Sequence, residues 1–331
     1  MRQANTFGQI LTVTSFGESR GAAVGVVIDG CPAGFELSEA DFNQNLAKRR
    51  SQYFFETPRQ ESDQARILSG IFEGRTLGTP IAVIVENKVQ SEKNYETMRR
   101  VFRLGHADAA WQAKFGIRDH RGGGRSSGRE TVARVLAATV AQKILAPFKI
   151  SCRAIPAEIA DLPCNADGSF TEEILNCMRK FREAGNSCGG IVRIEIKGVP
   201  AGLGEPVFSK LDAELAKALI SVGAVKAVEF GAGFDFATMD GFHANELTHN
   251  YNGGIIGGIS TGETIFLRLA IKPVPSIALE QICLDEDGNK RTISIQGEHD
   301  CCLVRRICPV LEAMCELVLA DFLLLAKTNK V

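Results

Sequence analysis

The sequence lacks several features that would assign it to a particular class of protein. None of its ten cysteines forms a CxxC pair, which argues against a metal site or a disulfide framework and for small buried thiols. The longest apolar run, residues 317–326, contains Asp321 and is far shorter than the roughly 18 residues of a membrane span. The polar N-terminal residues do not resemble a signal peptide. We therefore expect a cytoplasmic protein with no membrane partner.

The chain also lacks a strong overall charge. Its net charge is −1 over 331 residues, so no global basic field exists to attract nucleic acid. No strand–GxGxxG–helix unit is followed by an acidic residue about 20 positions later, so a bound dinucleotide is not expected. No repeat or linker divides the sequence. We predict one domain over residues 1–331, with a small molecule as its ligand.

A concentrated basic segment, residues 118–134, is the most informative feature that is present. Five arginines and His120 surround a three-glycine turn, Gly122 to Gly124, and two serines then lead into a predicted helix. Glycines let backbone N–H groups approach an anion closely, and a helix start adds partial positive charge. Guanidinium groups match phosphate and carboxylate oxygens. The segment therefore predicts a site for a polyanionic small molecule.

Hydrophobic patterning predicts an α+β fold. Because the predicted strands come in neighbouring pairs, antiparallel sheets are favoured over a doubly wound parallel sheet. The predicted strands are 10–14, 23–28, 81–85, 191–196, 265–271 and a hairpin of 282–284 with 292–295. The predicted helices are 40–50, 130–145, 172–183, 210–222 and 309–327, the first capped by Ser38 with Asp41 and the last with Pro309 in its first turn.

Eight motifs, in this order and at these spacings, resemble those of the chorismate synthase family. They are FGESRG (16–21), VIDGCPAG (27–34), GHAD (105–108), RGGGRSSGRET (121–131), GVPAGLGEPVF (198–208), GGIIGGISTG (253–262), KPVPSI (272–277) and HD (299–300). The resemblance covers nearly the whole chain and implies a sandwich of antiparallel β-sheets around helices, assembled as a homotetramer. It also implies a lyase of the shikimate pathway, which converts 5-enolpyruvylshikimate 3-phosphate into chorismate and phosphate and requires reduced FMN.

The resemblance assigns expected roles to individual residues. His106 matches the proton donor to the departing phosphate, and histidine suits that role because its ordinary pKa lies near neutrality. Ser19 and Asp300 match a pair that relays a proton from the substrate. The expected substrate-binding residues are Arg49, Arg50, Arg103, Arg129 and Arg306. The expected flavin-binding residues are Arg125, Ser126, Ser127, Gly223, Ala224, Gly257, Lys272, Pro273, Val274, Pro275, Ser276 and Glu298.

The chain departs from the family pattern at several of these positions. Arg20 stands where the motif has a histidine that protonates the reduced flavin or stabilises its charge; an arginine can supply charge there but cannot cycle a proton. Glu298 replaces an arginine, and Arg305 is a candidate to compensate for it, so that Arg305→Ala would abolish ligand binding. Smaller departures are the loss of the Pro-Gly turn after Arg50, Gly223 for an asparagine, and Leu104 and Cys301 for prolines.

Three functions remain open on these grounds. The first is a divergent chorismate synthase supplied with reduced flavin by an external reductase, since intrinsic NADPH-driven reduction is not expected. The second is a paralogue that keeps the fold and anion or flavin binding but has lost or changed the chemistry. The third is a nucleic-acid-binding protein that uses the basic segment, against which the net charge speaks.

Overall fold

The computed structural model describes residues 4–57, 63–88, 96–246, 248–295 and 299–327. Its strands, in chain order, are β1 (Thr6–Phe7), β2 (Thr12–Phe16), β3 (Ala23–Asp29), β4 (Ala65–Ile67), β5 (Ile71–Phe72), β6 (Arg75–Thr76), β7 (Ile81–Glu86), β8 (Ser151–Ile159), β9 (Leu162–Pro163), β10 (Gly190–Lys197), β11 (Val225–Phe230), β12 (Ile255–Ile256), β13 (Ile259–Ser260), β14 (Ile265–Ile271), β15 (Gln281–Leu284) and β16 (Lys290–Ile293). Its α-helices are α1 (Glu39–Ala47), α2 (Asp108–Phe115), α3 (Thr131–Leu145), α4 (Glu172–Glu183), α5 (Leu211–Ile220), α6 (Gly241–Ala244) and α7 (Val304–Ala326).

Local sequence explains where several helices begin. Asp41 accepts hydrogen bonds from the Ser38 N–H and hydroxyl, both at 2.8 Å, so the predicted cap of α1 is present. Thr171 caps α4 by accepting the Ile174 N–H at 3.3 Å. Acidic residues occupy the first turn of α4 and basic residues its last turn, as the helix dipole favours.

Two five-stranded sheets form the outer layers of the fold. One has the order β1-β2-β3-β7-β4 and the other β11-β14-β10-β8-β9, and every pairing in both is antiparallel. Helix α3 packs on β3, α1 and α7, whereas α7 packs on β8, β10 and α5. Helices therefore fill the space between the sheets, and the predicted α+β class with antiparallel sheets is confirmed.

One hydrophobic core extends through these layers and includes Val26, Leu136, Ile194 and Leu311, each completely buried. Its continuity supports the single domain, which stays a prediction. Residues 128–148 are long and apolar enough to cross a membrane by composition, but two thirds of the window is buried inside the protein. An apolar helix packed on all sides within a core passes the same test.

The structure differs from the sequence prediction at particular elements. Pro309 does not begin the last helix, because α7 starts at Val304 and carries Pro309 in its interior. A proline there removes one backbone hydrogen bond, but the turn before it is anchored by the buried side chains of Val304 and Ile307. The predicted hairpin is present as β15 paired with β16. Strand β2 begins two residues later than predicted, and β8 and β11 were not predicted.

Candidate active site

The three-glycine turn joins two loops that are far apart in the sequence. A Cβ at Gly122 would lie 3.3 Å from Ser19 Oγ and 3.2 Å from Arg20 Nε, and one at Gly123 would lie 2.8 Å from His106 Cε1. The φ angles of these glycines, +69° and +93°, also disfavour other residues. Glycine is therefore required here because the backbone passes directly against Ser19, Arg20 and His106.

His106 belongs to a compact cluster with Arg103 and Asp108. Its Nδ1 lies 2.9 Å from Asp108 Oδ1 and 3.1 Å from Arg103 Nη2. Arg103 also donates to Asp108 from Nε at 2.7 Å and from Nη2 at 2.9 Å. The three side chains are 13%, 9% and 3% exposed, in the order His106, Arg103 and Asp108. This network fixes the orientation of the imidazole and leaves Nε2 on the side of the glycine turn.

The Asp108 carboxylate is the negative centre of this cluster. Burial acts to raise its pKa, but hydrogen bonds from Arg103 and His106 outweigh burial and hold the pKa far below its ordinary value. Arg118 supports the same loop, since its guanidinium donates to the carbonyl oxygens of Met98, Arg99 and Val101. Asp108 is therefore a permanent anion that holds Arg103 and His106 together.

A second group of cations lies on the other side of the Ser19–Arg20 loop. Arg129 donates to Asp63 Oδ1 at 2.6 Å and to Asn87 Oδ1 at 2.9 Å. Asn87 in turn donates to the carbonyl oxygens of Glu18 and Gly21, on either side of Ser19 and Arg20. Arg49 contacts the other oxygen of Asp63 at 3.5 Å. Two predicted substrate arginines thus share one carboxylate.

Asp300 and Arg306 form the third part of the site. Arg306 Nη1 donates to both oxygens of Asp300, at 2.9 and 2.7 Å, and the Thr57 N–H donates to Asp300 Oδ1 at 2.9 Å. Arg306 Nε also donates to the Arg49 carbonyl oxygen at 3.4 Å. His299 is the neighbour of Asp300 in the chain, and burial lowers its pKa. The negative charge of Asp300 acts to raise this pKa, whereas the positive charge of Arg103 lowers it further. Asp300 is thus fixed by Arg306 and Thr57, and Arg306 also contacts the backbone of Arg49.

The residues predicted to bind flavin fall into two groups. Arg125 donates to the Gly17 and Ser15 carbonyl oxygens, both at 3.2 Å, and to Ser15 Oγ at 2.6 Å, so it anchors the FGESRG loop. Ser126 Oγ donates to the Gly123 carbonyl oxygen at 2.7 Å, and Ser127 Oγ accepts the Arg129 N–H at 3.3 Å. This first group holds the glycine turn in place.

The segment Lys272 to Ser276 forms the second group and packs against the GHAD loop. Lys272 Nζ donates to the Gly105 carbonyl oxygen at 2.6 Å, and Pro275 lies 3.2 Å from a Cβ built on Gly105. The Lys272 N–H donates to the carbonyl oxygen of Ala224, which has a left-handed φ of +78°. Burial and the charge of Lys226 lower the pKa of Lys272.

Other predicted residues lie outside this arrangement. Gly257 is at the exposed tip of the β12–β13 hairpin, and this hairpin contacts the start of α5. Ala224 follows the other end of α5, a helix of ten residues, so the two predicted contacts lie near opposite ends of the helix. Gly223 and Arg50 are exposed. Glu298 lies outside the described residues. No group of three or more His, Cys, Asp or Glu in the described ranges is placed to hold a metal ion.

The Arg305 guanidinium pairs with a carboxylate outside the predicted site. It donates to both oxygens of the buried Glu56, from Nε at 2.5 Å and Nη2 at 2.6 Å, and also to the Arg50 carbonyl oxygen. Its charge is therefore matched by Glu56, and these contacts do not support compensation for Glu298. Tyr53 and Phe55 stack at 5.3 Å with Phe55 buried, so this loop is anchored in the core.

Comparisons with known proteins identify the family of this chain. Residues 11–324 match the family described as "Chorismate synthase". The chain is 49% identical to a chorismate synthase of Nitratidesulfovibrio vulgaris strain DP4, over 98% of this chain and 97% of the relative. The chain belongs to the chorismate synthase family. It is 46% identical to the chorismate synthase of Syntrophus aciditrophicus, over 98% of each chain. A solved structure, "Crystal Structure of Chorismate Synthase", superposes with a TM-score of 0.76 at 27% identity, over 97% of this chain and 93% of that one.

Membership of the chorismate synthase family confirms three predictions: the family, the α+β class and the enzyme type, a carbon–oxygen lyase acting on a phosphate ester. The roles of individual residues stay predictions. The structure adds Asp63, Asn87, Asp108 and Glu56, none of which was predicted as a site residue. Of these only Asp108 carried a signal, because it stands two residues after His106 in the GHAD motif.

Proposed function

We propose that the residues around the three-glycine turn are the active site for the 1,4-elimination of phosphate from 5-enolpyruvylshikimate 3-phosphate. The observation that carries this proposal is the convergence of Ser19, Arg20 and His106 on Gly122 and Gly123. The substrate carries a phosphate and two carboxylates, which suits a site built from guanidinium groups.

His106 donates a proton to the departing phosphate. Because Asp108 accepts from Nδ1, the proton available for transfer is the one on Nε2. Asp108 also stabilises the positive charge of the imidazolium before transfer. Arg103, held by the same carboxylate, provides a fixed cation for the oxygens of the leaving group.

Asp300 and Ser19 carry the second proton, which the substrate loses. Arg306 Nη1 donates to both oxygens of Asp300 and so positions this carboxylate to accept a proton. Ser19 is 8% exposed, and its hydroxyl is 3.5 Å from the Arg121 carbonyl oxygen, a long hydrogen bond. A weakly held hydroxyl can turn toward a bound ligand at little cost.

Substrate binding requires an exchange of ion-pair partners. Asp63, Asp108 and Asp300 already neutralise arginines of the site. Arg49 and Arg129 both pair with the carboxylate of Asp63, so an incoming anion would compete with Asp63 for both guanidinium groups. We infer that Arg49, Arg103, Arg129 and Arg306 orient the substrate.

The residues present fit reduced FMN as cofactor. Burial and the charge of Lys226 lower the pKa of Lys272, and an anionic group near Lys272 would stabilise its charged form. The flavin would be held by Lys272 to Ser276, Ala224, Arg125, Ser126 and Ser127. Further predicted contacts are Gly223, Gly257 and Glu298. Reduced FMN, when bound, supplies electron density to the reacting allylic ester without net oxidation. Arg20 supplies a fixed positive charge beside Ser19 and the glycine turn.

The proposed activity is tested by anaerobic stopped-flow spectroscopy. Photoreduced FMN and 5-enolpyruvylshikimate 3-phosphate are mixed with the protein, and chorismate absorbance and released phosphate are followed. Equal amounts of chorismate and phosphate support the proposal. Binding of both ligands without turnover, in the wild type and in Arg20→His alike, would favour a paralogue that has lost the chemistry. Absence of binding would refute the assignment of the site.

We also propose that the protein works as a homotetramer in the cytoplasm with reduced FMN from an external reductase. Support for self-association comes from strongly exposed apolar side chains in the segments that follow β10 and β11 and in the β12–β13 hairpin: Val207, Phe208, Phe234, Phe242 and Ile256, between 60% and 92% exposed. Exposed apolar patches of this kind mark protein–protein contacts. Light scattering of the wild type and of Phe208→Ser tests this; a monomeric wild type would contradict it.

A further inference from the structure

The Arg134 guanidinium contacts two separate elements of the fold at once. Arg134 lies in the first turn of α3, and its Nε donates to both oxygens of Glu130, at 3.3 and 3.0 Å. Its Nη1 donates to Ser221 Oγ at 2.6 Å, and its Nη2 donates to the Ser221 carbonyl oxygen at 3.1 Å. Arg134 thus bridges the start of α3 and the residue that follows α5.

Glu130 connects Arg134 to the first group of residues predicted to bind flavin. Glu130 Oε1 accepts the Ser15 hydroxyl at 3.3 Å, and Ser15 Oγ accepts from Arg125 Nη2 at 2.6 Å. A serine hydroxyl has one hydrogen, which here goes to Glu130, so its oxygen is left to accept from Arg125. Glu130 and Arg134 therefore hold Arg125 in place through the last turn of β2, where the FGESRG loop begins.

Ser221 connects Arg134 to the second group. Ser221 directly follows α5, and Gly223 and Ala224 come next in the chain. The Ser221 hydroxyl donates to the Ala218 carbonyl oxygen at 2.6 Å, so its oxygen accepts from Arg134. The Ala224 carbonyl oxygen in turn accepts the Lys272 N–H at 2.9 Å. Because a cation is favourable at the carbonyl end of a helix, Arg134 fixes the turn to which Lys272 is bonded.

This pair of contacts depends on the shape of the arginine side chain. Nε serves Glu130 while Nη1 and Nη2 serve Ser221, and a lysine, with a single nitrogen, cannot reproduce this planar fork. Arg134 is 18% exposed and Glu130 is 13% exposed. Arg134 Nη1 also lies 3.5 Å from the sulfur of Met314, a buried residue of α7. The guanidinium is therefore held in one orientation.

We propose that Arg134 is a positioning residue for the flavin, which holds Arg125 and the Ala224–Lys272 contact in a fixed relation to each other. This inference rests on the proposed function. Four arginines expected to bind substrate or to lie beside it are held instead by Asp63, Asp108 and Asp300. Removing Arg134 therefore weakens flavin binding, because the site loses its preorganisation, and leaves substrate binding unchanged.

The test is anaerobic titration of the full chain with photoreduced FMN, followed by flavin absorbance. A separate calorimetric titration measures the affinity of the flavin-free protein for 5-enolpyruvylshikimate 3-phosphate. We expect Arg134→Gln to weaken flavin binding by about tenfold or more and to keep the substrate affinity of the wild type. Arg134→Lys keeps the charge but loses the fork, and it weakens flavin binding to a similar extent.

Lys217→Gln is the matched control. Lys217 lies on α5 one turn before Ser221 and pairs with Glu214 at 2.8 Å, so its replacement removes a cation from the same helix and leaves both contacts of Arg134 in place. We expect wild-type flavin affinity. Ser221→Ala removes one acceptor of Arg134 and gives a smaller loss of flavin affinity, which decides the question if Arg134→Gln does not fold.

A second measurement needs no ligand. The Val222 and Val225 N–H groups donate to the Leu219 and Val222 carbonyl oxygens, and their hydrogen exchange in the flavin-free protein is faster in Arg134→Gln than in the wild type. Unchanged exchange would overturn the inference.

Other outcomes separate this inference from the proposed function. Wild-type flavin affinity in folded Arg134→Gln or in Arg134→Lys would overturn the positioning role and leave the proposed function intact. Equal losses of flavin and substrate affinity would also overturn it, because they would show a general structural role. A wild-type protein that binds substrate but no flavin would refute the cofactor assignment and this inference together.

Discussion

Asp108 is the residue whose replacement tests the His106 cluster most directly. Asp108→Asn keeps the size of the side chain but removes the charge shared by Arg103 and His106. With the carboxylate gone, a protonated His106 would face the Arg103 guanidinium at 3.1 Å. At an effective dielectric near 20, two unit charges at that distance repel by about 5 kcal/mol. The imidazolium becomes unfavourable, and kcat falls by about 10²- to 10⁴-fold, the usual contribution of a general acid.

The assay is single-turnover formation of chorismate with photoreduced FMN, together with urea unfolding of each variant. Breaking a buried ion pair costs about 3–5 kcal/mol of unfolding free energy, so folding is checked by near-UV circular dichroism. Asp119→Asn is the matched control, because Asp119 pairs with Arg121 at 2.9 Å in the same region without contacting His106. A folded Asp108→Asn protein with kcat within about threefold of the wild type would refute the role of Asp108.

Three further predictions follow from single contacts. Gly123→Ala lowers kcat by about tenfold or more, since the added Cβ would lie 2.8 Å from the His106 imidazole. Gly128→Ala is the control, because a Cβ at Gly128 has open space around it. Equal kcat values for the two variants would contradict this prediction. Burial raises the pKa of Glu316 to about 8, above its ordinary 4.5, so the native protein binds this proton more tightly than the unfolded chain and its stability falls as the pH rises between those values. We expect Glu316→Gln to flatten that fall and to gain on the order of 2–4 kcal/mol of unfolding free energy at pH 8.5. Urea unfolding at several pH values measures this, and the same pH dependence in both proteins would refute it. Arg305→Ala lowers the unfolding free energy by about 3–5 kcal/mol, because it leaves the buried Glu56 carboxylate without this ion pair. Substrate affinity, measured by calorimetry, is unchanged. A folded variant that has lost affinity would show that Arg305 contributes to ligand binding.

The fold was predictable where hydrophobic pattern and packing agree. Helix α3 is apolar on nearly every side and begins within one residue of its predicted start. Strand β8 was missed because Arg153, Pro156 and Glu158 interrupt its apolar pattern, although antiparallel pairing with β10 fixes it as a strand. Pro309 misled the prediction of α7 because a local preference for the first turn was outweighed by buried residues before it.

In the candidate site, the sequence motifs pointed to the cations but not to the side chains that pair with them. Arg129, Arg103 and Arg306 stand in recognisable motifs. Asp63 and Asn87, which hold Arg129, are 66 and 42 residues away from it and carry no motif of their own. An isolated acidic residue is most often a solvated surface group, so only the three-dimensional structure can assign it to an arginine.

The carboxylates placed among the arginines bear on which ligands the protein selects. Because Asp63, Asp108 and Asp300 already pair with guanidinium groups, we expect a bound anion to displace carboxylates at three separate places. We therefore expect selection among metabolites to depend on the spacing of their anionic groups.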